Sequence, residues 1–279
     1  MKICGACMQE LSDDEFSAEQ QLRRQSTRRC MKCVAAGNEL VLMKRGRVRA
    51  KEDECPICNL PLPIADNVSM LTSCCMKRVC NGCILSSRKC GIDKCPFCRS
   101  DFVDEVDSNG DSQVLVRVKK RVASGDPMAM FFLGDQYRCG GCGLKKDARK
   151  AAELLRQSAA LGIHSAHYIL ADMYNKEDEG MGVDRARSLQ HMEEAAMGGN
   201  PSARFSLGVN ALIDGHSDIA LQHFLISAKL GDEDSLDAVR RLLQDGIATK
   251  TDYAGALQGY EAAVEEMSSP SREEAKRGI

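Results

Sequence analysis

Eight cysteines stand between residues 55 and 98 as Cys55-x2-Cys58, Cys74-Cys75, Cys80-x2-Cys83 and Cys95-x2-Cys98. A thiolate is a soft ligand, and a Cys-x2-Cys turn aims two of them at one cation. Four such pairs within 44 residues supply the ligands for two tetrahedral zinc ions. Cys4-x2-Cys7 and Cys30-x2-Cys33, separated by a 22-residue insert, can hold a third. Three zinc ions are therefore the expected cofactors. Cys90 could compete with Cys95, but Cys95-Pro96-Phe97-Cys98 makes the better knuckle, and Cys139 with Cys142 is half a site without a partner pair. The histidines at 164, 167, 191, 216 and 223 have no acid or nucleophile set beside them and read as surface or core residues. The chemistry on offer is metal binding rather than bond-breaking by a side chain.

The rest of the chain must position these thiols. At 43% apolar and 28% charged residues it is a folding chain, not a disordered one. A net charge of −2 provides no general field for nucleic acid or an anionic membrane, so neither is an expected partner. Aromatics are only 4% and tryptophan is absent, which suits cores of packed helices. No stretch approaches the roughly 20 apolar residues that cross a bilayer. The opening MKICGACMQEL lacks the apolar core of a signal peptide. A reducing compartment, cytoplasmic or nuclear, is expected, where cysteines serve as zinc ligands rather than disulfides.

Residues 1–50 hold a finger and a basic helical stretch, 52–102 the cysteine ladder, and 103–112 an acidic, turn-rich linker. Residues 113–268 repeat themselves, and 269–279 read as a flexible tail. Gly125-Asp126-Pro127, Gly199-Asn200-Pro201 and Gly231-Asp232-Glu233 are one junction recurring, with Gly162 in the equivalent place. Glycine ends one helix in the left-handed conformation and Asp or Asn caps the next. Small and apolar residues follow at helical spacing: Ala129, Leu133, Gly134, Tyr137; Ala166, Leu170, Ala171, Tyr174; Ala203, Leu207, Gly208, Ala211; and, more weakly, Ser235, Val239, Arg240, Leu243. A second helix comes after each. A period of 37 residues twice and then about 32 predicts helix pairs stacked into a solenoid.

This pattern, with Asp147-Ala148-Arg149-Lys150-Ala151 and Ala159-Ala160-Leu161-Gly162 in one copy and Asp184-Arg185-Ala186-Arg187 and Ala195-Ala196-Met197-Gly198 in the next, resembles Sel-1-like repeats. These are relatives of the tetratricopeptide family, and the resemblance implies a scaffold that binds proteins on a concave face. The ladder resembles a RING finger of the all-cysteine type. That resemblance implies a cross-brace, with Cys55, Cys58, Cys80 and Cys83 on one zinc and Cys74, Cys75, Cys95 and Cys98 on the other. Lys77 stands where the family usually carries a histidine ligand, so Cys74 takes that role. The resemblance also implies a surface for a ubiquitin-conjugating enzyme: Ile57 in the first loop, Pro96 in the second, and Arg99 as a linchpin that contacts ubiquitin and the enzyme together. The central helix near Ile84 and Leu85 carries no tryptophan for that groove.

The run from Cys4 to Cys33, with Phe16 and Leu22 expected over the metal and Arg23, Arg24, Arg28 and Arg29 outward, resembles the Stc-1 domain. That family links proteins in RNA-directed heterochromatin formation. Its arginines, with Lys44, Arg45, Arg47, Arg49 and Lys51 beyond, could form a basic patch, but no stacking aromatics are interleaved and protein docking is the expectation. The expected architecture is therefore multidomain: a treble-clef-like finger and a cross-brace RING, both zinc-stabilised, followed by an all-α helix-pair solenoid. The function this implies is a RING-type ubiquitin-protein ligase without a covalent intermediate, its repeats recruiting the protein substrate. The alternative is a non-catalytic adaptor made of zinc fingers and repeats. A nucleic-acid-associated silencing factor is a third reading, opposed by the charge.

Overall fold

A computed structural model describes residues 1–64, 68–101, 113–176 and 182–278. The acidic stretch read as a linker over 103–112 lies outside the described residues. In the first unit β1 (Lys2–Ile3) pairs antiparallel with β2 (Glu10–Leu11), followed by α1 (Ala18–Leu22), α2 (Met31–Ala35) and α3 (Val41–Lys44). In the second, β3 (Ser69–Thr72) and β4 (Lys77–Cys80) form a hairpin in the register Ser69↔Cys80 to Thr72↔Lys77, and α4 (Asn81–Lys89) leaves it directly. These elements are too short to persist alone. Cysteines sit at the centre of both cores: Cys4, Cys30 and Cys33 with Phe16, and Cys55 and Cys80 with Leu62, Val79 and Ile84.

The solenoid opens with a single amphipathic helix, α5 (Gln113–Ala123), which buries Leu115 and Val118. Four helix pairs follow: α6 (Pro127–Cys139) and α7 (Ala148–Ala160), α8 (His164–Asn175) and α9 (Arg185–Met197), α10 (Pro201–Ile213) and α11 (Ser217–Ala228), α12 (Glu233–Gln244) and α13 (Lys250–Glu266). The junctions behave as the sequence predicts. Asp126, Asn200 and Asp232 cap α6, α10 and α12 with their side chains, and the preceding glycines at 125, 199 and 231 take φ of 81°, 90° and 91°.

Small residues let each pair close. Ala129, Ala166 and Ala203 are fully buried. At Gly208 an added methyl would stand 2.5 Å from Cε1 of Phe224 on the partner helix. Gly208→Ala is expected to destabilise the chain by about 1–3 kcal/mol, because a packed ring must shift to admit the methyl. Thermal unfolding of this variant, and of Gly208→Ala with Phe224→Leu, checks it: the double variant should recover part of the loss.

The structure differs from expectation over residues 269–278 of the segment read as a tail. Ser269 caps α14 (Pro270–Arg277), which packs against α4 rather than trailing as a flexible tail. Ala275 and Arg272 are buried there, so the segment has both an apolar and a polar reason to stay.

The first unit differs too. Leu22, expected over the metal, is 88% exposed, while Arg23, expected outward, is 6% exposed. Arg23 bonds Asp218 of α11 and Glu19; Arg24 and Ser26 bond Glu193 of α9. The stretch that follows is docked on the repeats by its apolar side chains and its backbone. Leu40 and Met43 enter the core of the third helix pair with Ile219 and Phe224, and Leu42 packs with Met192 and Leu207. Arg204, fully buried on α10, donates to the Arg45 carbonyl, and Arg49 pairs with Asp53 at 3.8 Å. Arg23, Arg24 and Arg204 thus fasten the first unit to the repeats, while the side chains of Lys44, Arg45, Arg47 and Lys51 stay exposed.

Candidate metal centre

Three groups of four cysteine sulfurs form, each with all its sulfurs within 4.8 Å of one another: Cys4, Cys7, Cys30, Cys33; Cys55, Cys58, Cys80, Cys83; and Cys74, Cys75, Cys95, Cys98. The ladder therefore interleaves, first pair with third and second with fourth. Its sulfurs stand 3.9 Å apart for Cys55–Cys83 and Cys58–Cys80, and 3.8 Å for Cys75–Cys95. A tetrahedron with metal–sulfur bonds of about 2.3 Å has edges of about 3.8 Å. Such distances are far beyond the roughly 2.05 Å of a disulfide. Cys90, Cys139 and Cys142 belong to none of the three groups.

One local geometry builds these knuckles. The first cysteine accepts at its carbonyl from the amide of the residue after the second: Met8 to Cys4 at 2.8 Å, Asn59 to Cys55 at 2.8 Å, Arg99 to Cys95 at 2.8 Å. Met8, Asn59 and Arg99 accordingly adopt φ near 60°, as does Met76 after Cys75 at 52°. Asn tolerates this conformation, whereas Met and Arg are held in it by the turn. Single bridges, Glu54↔Pro61 and Lys94↔Asp101, close two of the loops. Cys80 caps α4 and its sulfur accepts from the Cys83 amide, so the third pair rests on a helix start instead of a knuckle.

The electrostatics suit a cation. One thiol in each group is readied for ionisation. A hydrogen bond from the Cys80 thiol, with backbone amides of Cys80, Cys58 and Ile57, holds Cys55 down to about 4. Burial opposes ionisation of Cys4 and Cys98, yet hydrogen bonds from neighbouring amides for Cys4, and from Ser100 for Cys98, draw both down to about 6. Two of the neighbouring thiols move the other way: Cys80 is raised chiefly by its bond to Cys55, and Cys74 by burial. Without a cation, ionisation of Cys55 sets it against Cys80, and burial holds the Cys74 thiol in its neutral form. With a cation all four thiols of a group can ionise, and four thiolates in a tetrahedron are the donor set of a structural, closed site rather than an open catalytic one.

Lys77, at the place of the usual histidine, is exposed with its ammonium 5.8 Å from the centre of the Phe97 ring, and Cys74 supplies the fourth sulfur. Arg121 of α5 donates twice to the Cys74 carbonyl, at 2.6 and 3.1 Å, and pairs with Asp126 at 2.9 Å. Met76, in the same turn, is buried with Leu115 and Val118. The second cluster is thus built onto the start of the solenoid. Arg121 has no local sequence signal, because its partner is a carbonyl 47 residues away.

Of the other residues singled out, Ile57 is 39% exposed, Arg99 is exposed and Pro96 half-buried. Phe97, which the sequence reading passed over, is 45% exposed at the tip of its knuckle. Its position between two ligands was the available signal. Among the described residues no histidine joins a group that could hold a metal. His223 is buried and burial holds its pKa well below the usual value; His167 and His191 meet at 2.9 Å between α8 and α9, with Tyr174 stacked on His191.

No curated protein matches this chain. Among solved structures it is similar to a Sel1 repeat protein from Oxalobacter formigenes (22% identity, TM-score 0.47, 55% of this chain and 64% of that one). It is also similar to c5321, a protective antigen of uropathogenic Escherichia coli displaying an SLR fold (17%, 0.36, 59% and 47%). A third is the immunity protein Pa5087 from Pseudomonas aeruginosa (21%, 0.38, 55% and 58%). The chain thus spans less than two thirds of the length of each of these three. No helix among the described residues is long and apolar enough to cross a membrane. The Sel1 repeat family matches residues 127–163 and 164–200, the first two helix pairs: the chain carries Sel1 repeats, preceded by three four-cysteine groups that can hold metal.

Proposed function

We propose that this is a three-zinc protein whose cross-braced ladder acts as a RING-type ubiquitin-protein ligase, with the repeats recruiting the protein substrate. Two different observations bear on this. The interleaved sulfur groups supply the frame, and the exposed residues on its knuckles supply the surface. The second carries the activity. Where Leu62, Val79 and Ile84 are buried, Ile57 on the first knuckle and Phe97 on the last stand out to solvent, and Arg99 is exposed as well. Exposed apolar side chains at the tips of these loops supply the contact surface that this reading requires. The Arg99 backbone is fixed by its bond to Cys95, which presents its guanidinium immediately beyond the last ligand. Catalysis would be positional: the ladder orients a conjugating enzyme's thioester towards a substrate lysine and forms no bond itself.

The test is autoubiquitination of the zinc-loaded chain with a panel of conjugating enzymes. Ile57→Ala and Arg99→Ala should each slow transfer by roughly tenfold or more with no loss of zinc, as expected for interface anchors. Absence of chains with every enzyme would leave the second reading, a non-catalytic adaptor. One observation favours that alternative: both ladder clusters are bonded into helices outside the ladder, through Arg121 and Arg272, so they already serve as structural joints.

A further inference from the structure

Arg272 lies 214 residues from Cys58 in sequence, yet it is 4% exposed against the first cluster. One terminal nitrogen donates to the carbonyls of Pro61 and Met267, each at 2.6 Å. The other donates to the Leu60 carbonyl at 3.2 Å and to the Cys58 sulfur at 3.4 Å, and the guanidinium also faces Cys80. The arginine therefore grips the back of the 55–61 knuckle and two of the four sulfurs at once.

The rest of α14 is arranged to seat it. Ser269 caps the helix by accepting from the Arg272 amide at 3.3 Å, and Glu274 pairs with Lys89 at the far end of α4. Gly82 on α4 allows the approach: a methyl there would lie 2.7 Å from the Arg272 nitrogen and 2.8 Å from the Ser271 carbonyl carbon. Charge gives the contact its purpose. A divalent ion with four thiolates carries about −2 overall, and buried charge is costly unless it is paired. Among the described residues, the second cluster receives an arginine only on the Cys74 carbonyl, whereas the first receives one on sulfur.

We infer that α14 belongs to the shell of the first metal cluster, and that Arg272 is a positioning residue that shields its thiolates and holds the Cys58 knuckle closed. The metal-binding unit then runs beyond residues 52–102 to include 269–277. This rests on the zinc reading but not on ubiquitin transfer.

The test uses the full chain. Native mass spectrometry first counts zinc in the wild type; a count below three overturns the zinc reading itself before any variant is compared. Cysteine alkylation by N-ethylmaleimide under mild chelation is then mapped residue by residue. Arg272→Ala should expose Cys55, Cys58, Cys80 and Cys83 about tenfold faster, the scale of losing an outer-shell partner. Gly82→Ala should do the same with the arginine still present, by displacing α14. Arg272→Lys should recover little, since one ammonium cannot span two carbonyls and a sulfur. The other eight ligands should keep their wild-type rates. Unchanged rates at the first cluster, an equal rise at all three, or full protection by lysine would each overturn the assignment.

Discussion

Stripping zinc with a strong chelator is expected to unfold residues 1–101 while most of the helix content survives. The two cysteine units have cores of four or five buried residues, cysteines included, and elements of two to nine residues. Structural zinc contributes about 10–16 kcal/mol to the folding of such units, more than their apolar burial can replace. The solenoid carries its own core in each helix pair, so α6 to α13 should persist. Limited proteolysis would then cut throughout 1–101 and spare 127–266, with circular dichroism at 222 nm falling only modestly. Helices α5 and α14 should loosen with the fingers, because Val118 and Arg272 lose their partners. A single transition that removed all helix together would show instead that the solenoid cannot stand without metal.

Met43→Asp should detach the first unit from the repeats without emptying its metal site. Met43 is 1% exposed between α3 and the third helix pair, and it lies outside the Cys4 group. A carboxylate there would have no partner in an apolar setting, a cost of several kcal/mol that release of the segment avoids. The expected result is a larger radius of gyration by small-angle scattering, faster amide exchange along α9 and α11, and an unchanged count of three zinc ions. If the variant stayed compact, the joint would rest on the ion pairs Arg23–Asp218 and Arg24–Glu193 instead. Loss of the third zinc would mean that docking and metal binding are one cooperative event.

Where sequence reading succeeded, the cause was local. A Cys-x2-Cys turn closes on itself within five residues, and the Gly-Asp/Asn-Pro junction ends one helix and caps the next with its own atoms. Helix pairs meet their sequence neighbours, so small residues at 129, 166 and 203 announced their contacts in advance. Leu22 and Arg23 were exchanged in the reading because hydropathy favours burying leucine, whereas the bond between Arg23 and Asp218 crosses 195 residues. The supposed tail failed for the same reason: PSREEAKR offers little apolar surface beyond Ala275, and Arg272 finds its partners at Cys58 and the Leu60 and Pro61 carbonyls, more than 200 residues away.

By itself the sequence determined the donor atoms, the turns that hold them and the helix pairs that follow, since each depends on residues close along the chain. Tertiary structure alone decided that α3 lies against the repeats, that Arg121 and Arg272 tie both ladder clusters into distant helices, and that Ile57, Phe97 and Arg99 stay exposed to solvent. Those outcomes depend on which surfaces meet after folding, and a buried guanidinium finds its carbonyls and sulfur by position in space rather than by spacing along the chain.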